Sequence, residues 1–264
     1  MTEKYLTFLS DFGGNSSYPA QMKAVALSLA NAHIIDITHD IQPHNVREGA
    51  FVLSCTAPLF PPGTVHVAVV DPGVGTSRRG LLITTKSQIF IGPDNGLLIP
   101  AAKKIGDMHV YQLTNEKMMR FPRSKTFDGR DVFTPTAAYV LNGLAFDEVG
   151  DKITDFLRLD FDSFQQSGSS IQGEIIYIDR FGNIITNIPK NVLTNPSLED
   201  SMIEISFGKK SFKIPYVPSY GHVSLNQMLA TIGSNDFFEI SINQGNAAEK
   251  LKVTPGSPVS INFL

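Results

Sequence analysis

The sequence predicts an α/β N-terminal domain, built on a Rossmann-like layered sheet, followed by an all-β, barrel-like C-terminal domain. Three observations carry this. Strand and helix signals alternate up to about residue 150, the order that packs helices over a sheet. A polar Ser/Gln/Gly-rich stretch, "DFDSFQQSGSSIQG" at 160–173, follows. Beyond it, short apolar runs are broken by turn residues in the manner of a small barrel or sandwich. The expected division is 1–160 for the first domain, 161–172 for a linker and 173–264 for the second.

In chain order, "YLTFLS" reads as a strand, "PAQMKAVALSLAN" as a helix opened by Pro19, and "HIIDIT" as a second strand. "NVREGAFVLSCTAPLF" is a helix with Asn45 as N-cap and Glu48 as its capping-box partner. "TVHVAVV" is continuously apolar, as in a strand covered on both faces. "GLLITTK" and "QIFIG" predict further strands of a largely parallel sheet. "GPDNG" predicts a turn into a helix "LLIPAAKK", and "TPTAAYVLNG" a helix closed by Gly143. In the second half "GEIIYID", "NIITNI", "MIEISF", "KSFKIPY", "FFEISI", "KLKVT" and "PVSINF" read as strands, and only "NQMLATIG" has a helical period.

The chain has 264 residues, enough to bury a substantial core, and a net charge of −3. That balance argues against a general nucleic-acid binder, which needs a basic face. The N-terminus resembles neither a signal peptide nor a membrane span, so a cytoplasmic protein is expected. The single cysteine, Cys55, excludes an internal disulfide and a cysteine metal cluster, and is expected on the buried face of its helix.

Chemistry concentrates in a few stretches. Asp11 in "FLSDFGG" and Asp71 in "VAVVDPGVG" each follow an apolar strand and precede a glycine turn. Ligands of open α/β sheets bind outside such strand ends, although a lone acid there is as often a turn former. "GVGTSR" lacks both the third glycine of a dinucleotide loop and the Lys-Ser/Thr of a P-loop. Its glycines are expected to allow close backbone approach while Arg78 reaches back to Asp71. "FPRSKTFDGRDVF" sets Asp128, Arg130 and Asp131 around Gly129, between Phe127 and Phe133, so part of this charged stretch should be held inside. His39, Asp40 and His44 are interrupted by Pro43 and do not have metal-site spacing, so no metal is expected. In "YIDRFGNIITNI", Asp179, Phe181 and Asn183 surround Gly182, and a simple hairpin turn is the plain alternative to a site.

Taken together, these stretches resemble the S-adenosyl-L-methionine hydroxide adenosyltransferase family, relatives of fluorinase and chlorinase. The matching pieces are "SDFG", "QMKAV", "IIDITHDI", "VREGAF", "FPPGTVHVAVVDPGVGTSRR", "GPDNGLL", "TFDGRD", "IDRFGNIITNI" and "GNAA", in the family's order. The resemblance implies hydrolysis of S-adenosyl-L-methionine (SAM) to adenosine and L-methionine, SAM serving as substrate with no cofactor. It also implies homotrimers with each active site between the N-domain of one subunit and the C-domain of the next.

Residue by residue, the resemblance implies that Asp11 binds the ribose hydroxyls; His44 stands where relatives tend to carry an aromatic that packs on the nucleoside, a departure in which the imidazole is expected to stack instead. Phe181 stacks on adenine, Asn183 bonds its edge, and Ala247 adds main-chain contacts. Asp179 faces the methionine ammonium and Ser234 its carboxylate. Asp71, Arg78 and Asp128 form the catalytic set near ribose C5′. The family usually carries His at the Asp128 position, and a second acid where Ser16 stands here. Two carboxylates beside one arginine are expected to compete for it, with one tending to hold a proton. Two alternatives remain beside hydrolysis: non-catalytic SAM or adenosine binding, and use of a halide, which the Asp71 carboxylate should repel.

Overall fold

The computed structural model describes residues 3–193 and 201–263. The chain forms two compact units, residues 1–159 and 160–264.

The first unit is built on a seven-stranded sheet covered by helices. Its elements are β1 (Tyr5–Ser10), α1 (Tyr18–Leu29), β2 (His33–Thr38), α2 (Val46–Thr56), β3 (Val65–Val69), β4 (Gly80–Thr84), β5 (Ile89–Pro93), α3 (Ile99–Ile105), β6 (His109–Gln112), α4 (Thr134–Leu141) and β7 (Lys152–Ile153). The strand order is β2-β1-β3-β5-β4-β6-β7. The β2–β1, β1–β3 and β3–β5 pairs are parallel, but β5–β4, β4–β6 and β6–β7 are antiparallel. The expectation of a largely parallel sheet therefore fails in its second half. Only Thr85–Gln88 link β4 to β5, too short for the crossover that parallel neighbours require.

Helix starts follow the local chemistry. Pro19 stands in the first turn of α1, where its missing N–H costs nothing. Asn45 accepts a hydrogen bond from Glu48 N to cap α2. The Glu48 carboxylate accepts from Asn45 Nδ2 and Gln42 N, so the reciprocal half of the box runs through side chain and loop. Cys55 is half-buried rather than fully buried, because it lies at the edge of the α2 core face defined by Phe51 and Ser54. Phe8, Phe51, Phe90 and Phe133 are fully buried and anchor the two sides of the sheet; truncating any one to alanine costs about 3–5 kcal/mol. His66 is threaded through this apolar layer, bonded to Thr7 Oγ1 at 2.7 Å and Gln88 Oε1 at 3.1 Å. Burial holds its pKa down at about 4.

The second unit is a barrel. It comprises β8 (Gln165–Ser167), β9 (Ser170–Ile178), β10 (Ile184–Pro189), β11 (Ser201–Phe207), β12 (Lys210–Tyr216), β13 (Met228–Ile232), β14 (Phe237–Ile242), α5 (Ala247–Leu251) and β15 (Pro258–Phe263). The order β10-β14-β13-β12-β11-β15-β9 closes on itself through β9–β10, and β8 is appended to β9. Closure removes exposed sheet edges. An isoleucine-rich interior fills it, with Ile175, Ile184, Ile203, Ile205, Ile240 and Ile261 fully buried.

Three readings need correction here. Residues 161–172 are no linker: β8 and the start of β9 form a hairpin of the barrel, Ser167 pairing with Ser170 around Gly168. "NQMLATIG" contains β13, since pairing with β14 over Met228–Ile232 outweighs its weak helical period. "KLKVT" is not a strand: Asn246 accepts from Glu249 N and starts α5, which takes in Lys250 and Leu251. Among the described residues, no helix is long and apolar enough to cross a membrane.

Candidate active site

The sheet order reverses between β1 and β3. From β1 the chain steps out to β2, then returns to the other side of β1 as β3. Ser10 pairs with Val69 at the carboxyl ends of these strands, so Asp11 and Asp71 emerge side by side just beyond them. The two acids line one cavity of about 300 Å³, together with Phe12, Tyr18, Pro43, His44, Val74, Phe127, Asp128 and Gly129. Clefts at such switch points are where open α/β sheets bind ligands.

One wall is aromatic. Phe12, Tyr18 and Phe127 meet pairwise with ring centroids 5.2–5.6 Å apart, two of the pairs edge-to-face. Asp11 sits opposite its loop partner: the His44 backbone N–H donates to Asp11 Oδ2 at 2.8 Å, and His44 is held at φ 67°. Among the described residues Asp11 Oδ1 accepts no hydrogen bond, which leaves it open to a donor in the cavity. Ser16, where the resemblance expects a second acid, carries a buried hydroxyl with no partner among the described residues.

A second wall is ionic. Arg78 holds Asp71 in a fork, Nε to Oδ1 at 3.1 Å and Nη2 to Oδ2 at 2.6 Å. The same Nη2 donates to Asp128 Oδ2 at 2.8 Å, and Nη1 to the Arg79 carbonyl at 3.0 Å. The guanidinium lies over the Phe133 ring, 5.3 Å from its centroid, so its plane is fixed. The expected competition for one arginine is relieved by a second cation. Arg123 donates to Asp128 Oδ1 through Nη2 at 2.8 Å and Nε at 3.2 Å. Burial raises the Asp71 pKa above the ordinary carboxylate value; Arg78 opposes this and the Asp128 charge reinforces it. A carboxylate made more basic, and fixed by a bidentate partner, is suited to accept a proton from water.

The glycine turn after Asp71 serves the same geometry. Gly75 has φ 78°, and a Cβ there would lie 2.7 Å from the Lys125 carbonyl oxygen. The backbones of the two loops thus pass in direct contact, which only glycine permits. Asp131 is a structural counterpart rather than a cavity residue. Fully buried, it is held by both nitrogens of a fork from Arg130, by Arg120 Nη1 and by the Ser124 N–H. These donors overcome burial and hold its pKa down. They pin the segment 120–131 that presents Arg123 and Asp128.

The three residues considered for a metal do not converge. His39 lies between Ser10 Oγ and Asp36, Asp40 accepts from Gly14 N, and His44 meets Asp11 only through its backbone N–H. Among the described residues no group of three His, Cys, Asp or Glu side chains is arranged to hold a metal ion.

In the second unit Asp179, Phe181 and Asn183 occupy the β9–β10 turn. Asp179 Oδ1 accepts from Phe181 N and Asn183 N at 2.9 Å, and Oδ2 from Asn183 Nδ2 at 2.8 Å. The plain hairpin reading is thus correct for the turn, and the two polar side chains brace it. What they present is Phe181, 75% exposed. Gly182 (φ 82°) abuts Asn246, its O accepting from Ala248 N at 3.0 Å, so the turn is tied to Ala247 and the start of α5. Ser234 is exposed in the turn between β13 and β14. Beside that turn the sequence gives no hint of a cluster in which the exposed Tyr220, through its OH, and the buried Ser241, through Oγ, both donate to Oε1 of the buried Glu239 at 2.7 Å.

Sequence reasoning missed Arg123, Phe12 and Tyr18. The available signal for Arg123 was a second basic residue in the same charged stretch as Asp128; for the rings, aromatic residues flanking the Asp11 turn.

The family model described as the SAM hydroxide adenosyltransferase N-terminal domain matches residues 6–150, and that of the C-terminal domain residues 173–260. An (R)-S-adenosyl-L-methionine hydrolase of Methanocaldococcus jannaschii is 37% identical over 94% of this chain and 92% of that protein. A fluorinase of an Actinoplanes species is more distant, 25% identical over 97% of this chain and 96% of that one. Among solved structures, an uncharacterised conserved protein from Thermotoga maritima superposes with a TM-score of 0.92 at 36% identity, covering 97% of this chain and 99% of that one.

Proposed function

The chain belongs to the SAM hydroxide adenosyltransferase family, and on that premise we propose that it hydrolyses S-adenosyl-L-methionine to adenosine and L-methionine. The single observation that carries the reading is the shared cavity, in which a free oxygen of Asp11 and the Arg78-clamped Asp71 face the same space. Water attacks ribose C5′ in line with the C5′–sulfur bond, and the bond's electron pair leaves with the sulfur. Because a sulfonium departs as a neutral thioether, the reaction requires neither a metal nor a general acid at the leaving group. The protein's task is to hold water and substrate in the attack geometry and exclude bulk solvent.

In this reading Asp71 orients the water and takes its proton, while Arg78 fixes the carboxylate. Asp11 Oδ1 accepts from a ribose hydroxyl, a charge-assisted bond. His44 and the aromatic wall pack on the nucleoside. On the second unit, Phe181 stacks on adenine, the Asn183 edge and the Ala247 main chain bind it, and Asp179 and Ser234 receive the amino-acid end. A trimer in which one subunit's Phe181 reaches another's cavity fits the exposure of that ring. The relatives' names specify the (R)-sulfonium epimer, and we extend that preference to this chain.

The test is turnover of purified protein with each SAM epimer, following adenosine and methionine by chromatography. Adenosine from the (R) epimer supports the reading; binding of SAM without product, or a 5′-halogenated nucleoside when halide is added, overturns it. Asp71→Ala is expected to abolish turnover and spare binding, whereas Asp11→Ala weakens binding itself.

A further inference from the structure

Behind the Asp71–Arg78–Asp128 wall lies a second cavity of about 210 Å³. Asp128 lines both cavities. Three guanidinium groups, those of Arg78, Arg79 and Arg123, give the second one its character. They suggest an anion site, but each is already matched. Arg78 holds Asp71 and Asp128, Arg79 holds Asp94 and Asp155, and Arg123 holds Asp128. Four carboxylates answer three cations, so no positive field remains to attract an anion. A roomy polar chamber whose charged groups already have partners suits water instead.

We propose that this second cavity supplies the water consumed in each turnover and receives the proton that turnover releases, with Asp128 as the residue that joins the two chambers. The proposal rests on the hydrolase reading above. In each cycle one water oxygen forms a bond to C5′, the C5′–sulfur bond breaks with its electron pair on sulfur, and one water proton passes to the Asp71 carboxylate. That proton must leave before the next cycle. A nucleoside seated in the first cavity covers the direct path to solvent, whereas the second cavity opens from behind the ionic wall. Asp71 Oδ2 and Asp128 Oδ2 lie 2.6 and 2.8 Å from the same Arg78 nitrogen, close enough for one water to bridge them. The proton crosses by that water to Asp128 and leaves into the second cavity. Water for the next attack follows the same route inward.

The test fills the second cavity without touching the ionic wall. Gln112 and Ser77 line it, and among the described residues neither side chain makes a hydrogen bond. In Gln112→Phe and Ser77→Phe, kcat is expected to fall at least tenfold and its solvent deuterium isotope effect to rise. KM for SAM and the dissociation constant for adenosine stay within twofold. Ser77 is exposed on a loop, so that variant is expected to fold even if the other does not. Unchanged kcat in the folded variants overturns the proposal, as does a loss of adenosine affinity that matches the loss of rate. A wild-type protein that binds adenosine but never hydrolyses SAM instead removes the hydrolase reading, and this proposal with it.

Discussion

Replacing Asp128 with asparagine keeps the shape of the ionic wall and removes one charge. Its Oδ2 and Asp71 Oδ2 share Arg78 Nη2 at 2.8 and 2.6 Å, which puts the two carboxylates roughly 5 Å apart by hydrogen-bond geometry. At an effective dielectric of about 20 their repulsion is on the order of 3 kcal/mol before screening. The two arginines screen part of this. The direction is fixed. The Asp128 charge raises the Asp71 pKa, so its removal lowers that pKa. Catalysis needs Asp71 ionised, and the acidic limb of kcat/KM reports this group in the free enzyme. In Asp128→Asn that limb therefore moves toward lower pH, while the plateau falls because the carboxylate is a weaker base. The assay is adenosine formation across pH 4–9. A limb that stays in place or moves upward refutes the electrostatic account of the wall.

Further outcomes follow from single side chains. Phe181→Ala leaves the fold intact, since the ring is exposed, and weakens adenosine binding by about 1–3 kcal/mol, the worth of one stacked base; calorimetric titration with adenosine reads it, and unchanged affinity removes Phe181 from the site. His66 is neutral in the fold with a pKa of about 4 against an ordinary 6.5. Its contribution is complete above 6.5 and is lost as pH falls toward 4, amounting to roughly 3 kcal/mol. Urea unfolding at pH 7 and pH 4.5 measures it, and a His66→Gln variant should lose part of that pH dependence. Burial pushes the Cys55 thiol up to about 11, so the native protein should react slowly with a disulfide reagent at pH 8 and quickly once unfolded; rapid native labelling contradicts the packing of α2.

The first half of the site was legible because its signals are local. Apolar runs ending in an acid and a glycine turn identify strand ends, and two such ends on adjacent parallel strands meet by topology alone. The ladder of β4 to β7 was not legible, because β4 and β5 are antiparallel yet covered on both faces, so they read as the same continuous apolar runs as parallel strands, and only the length of the Thr85–Gln88 link gives their direction away. "NQMLATIG" misled for a related reason: a five-residue buried strand satisfies a helical period by chance, and the pairing with β14 that decides it is non-local. The α5 helix was hidden because its cap, Asn246, stands beside a glycine that reads as part of a turn. Arg123 was invisible as a site residue. Its approach to Asp128 depends on the Asp131 anchor four hydrogen bonds deep in the same loop, and that geometry has no signature in spacing.

The most direct measurement is incubation of the purified protein with SAM in ¹⁸O-labelled water, in the presence of chloride, with the nucleoside product weighed by mass spectrometry. Hydrolysis at C5′ predicts adenosine carrying one ¹⁸O and methionine carrying none. Label in the amino acid, a 5′-chloronucleoside, or unlabelled adenosine would contradict it.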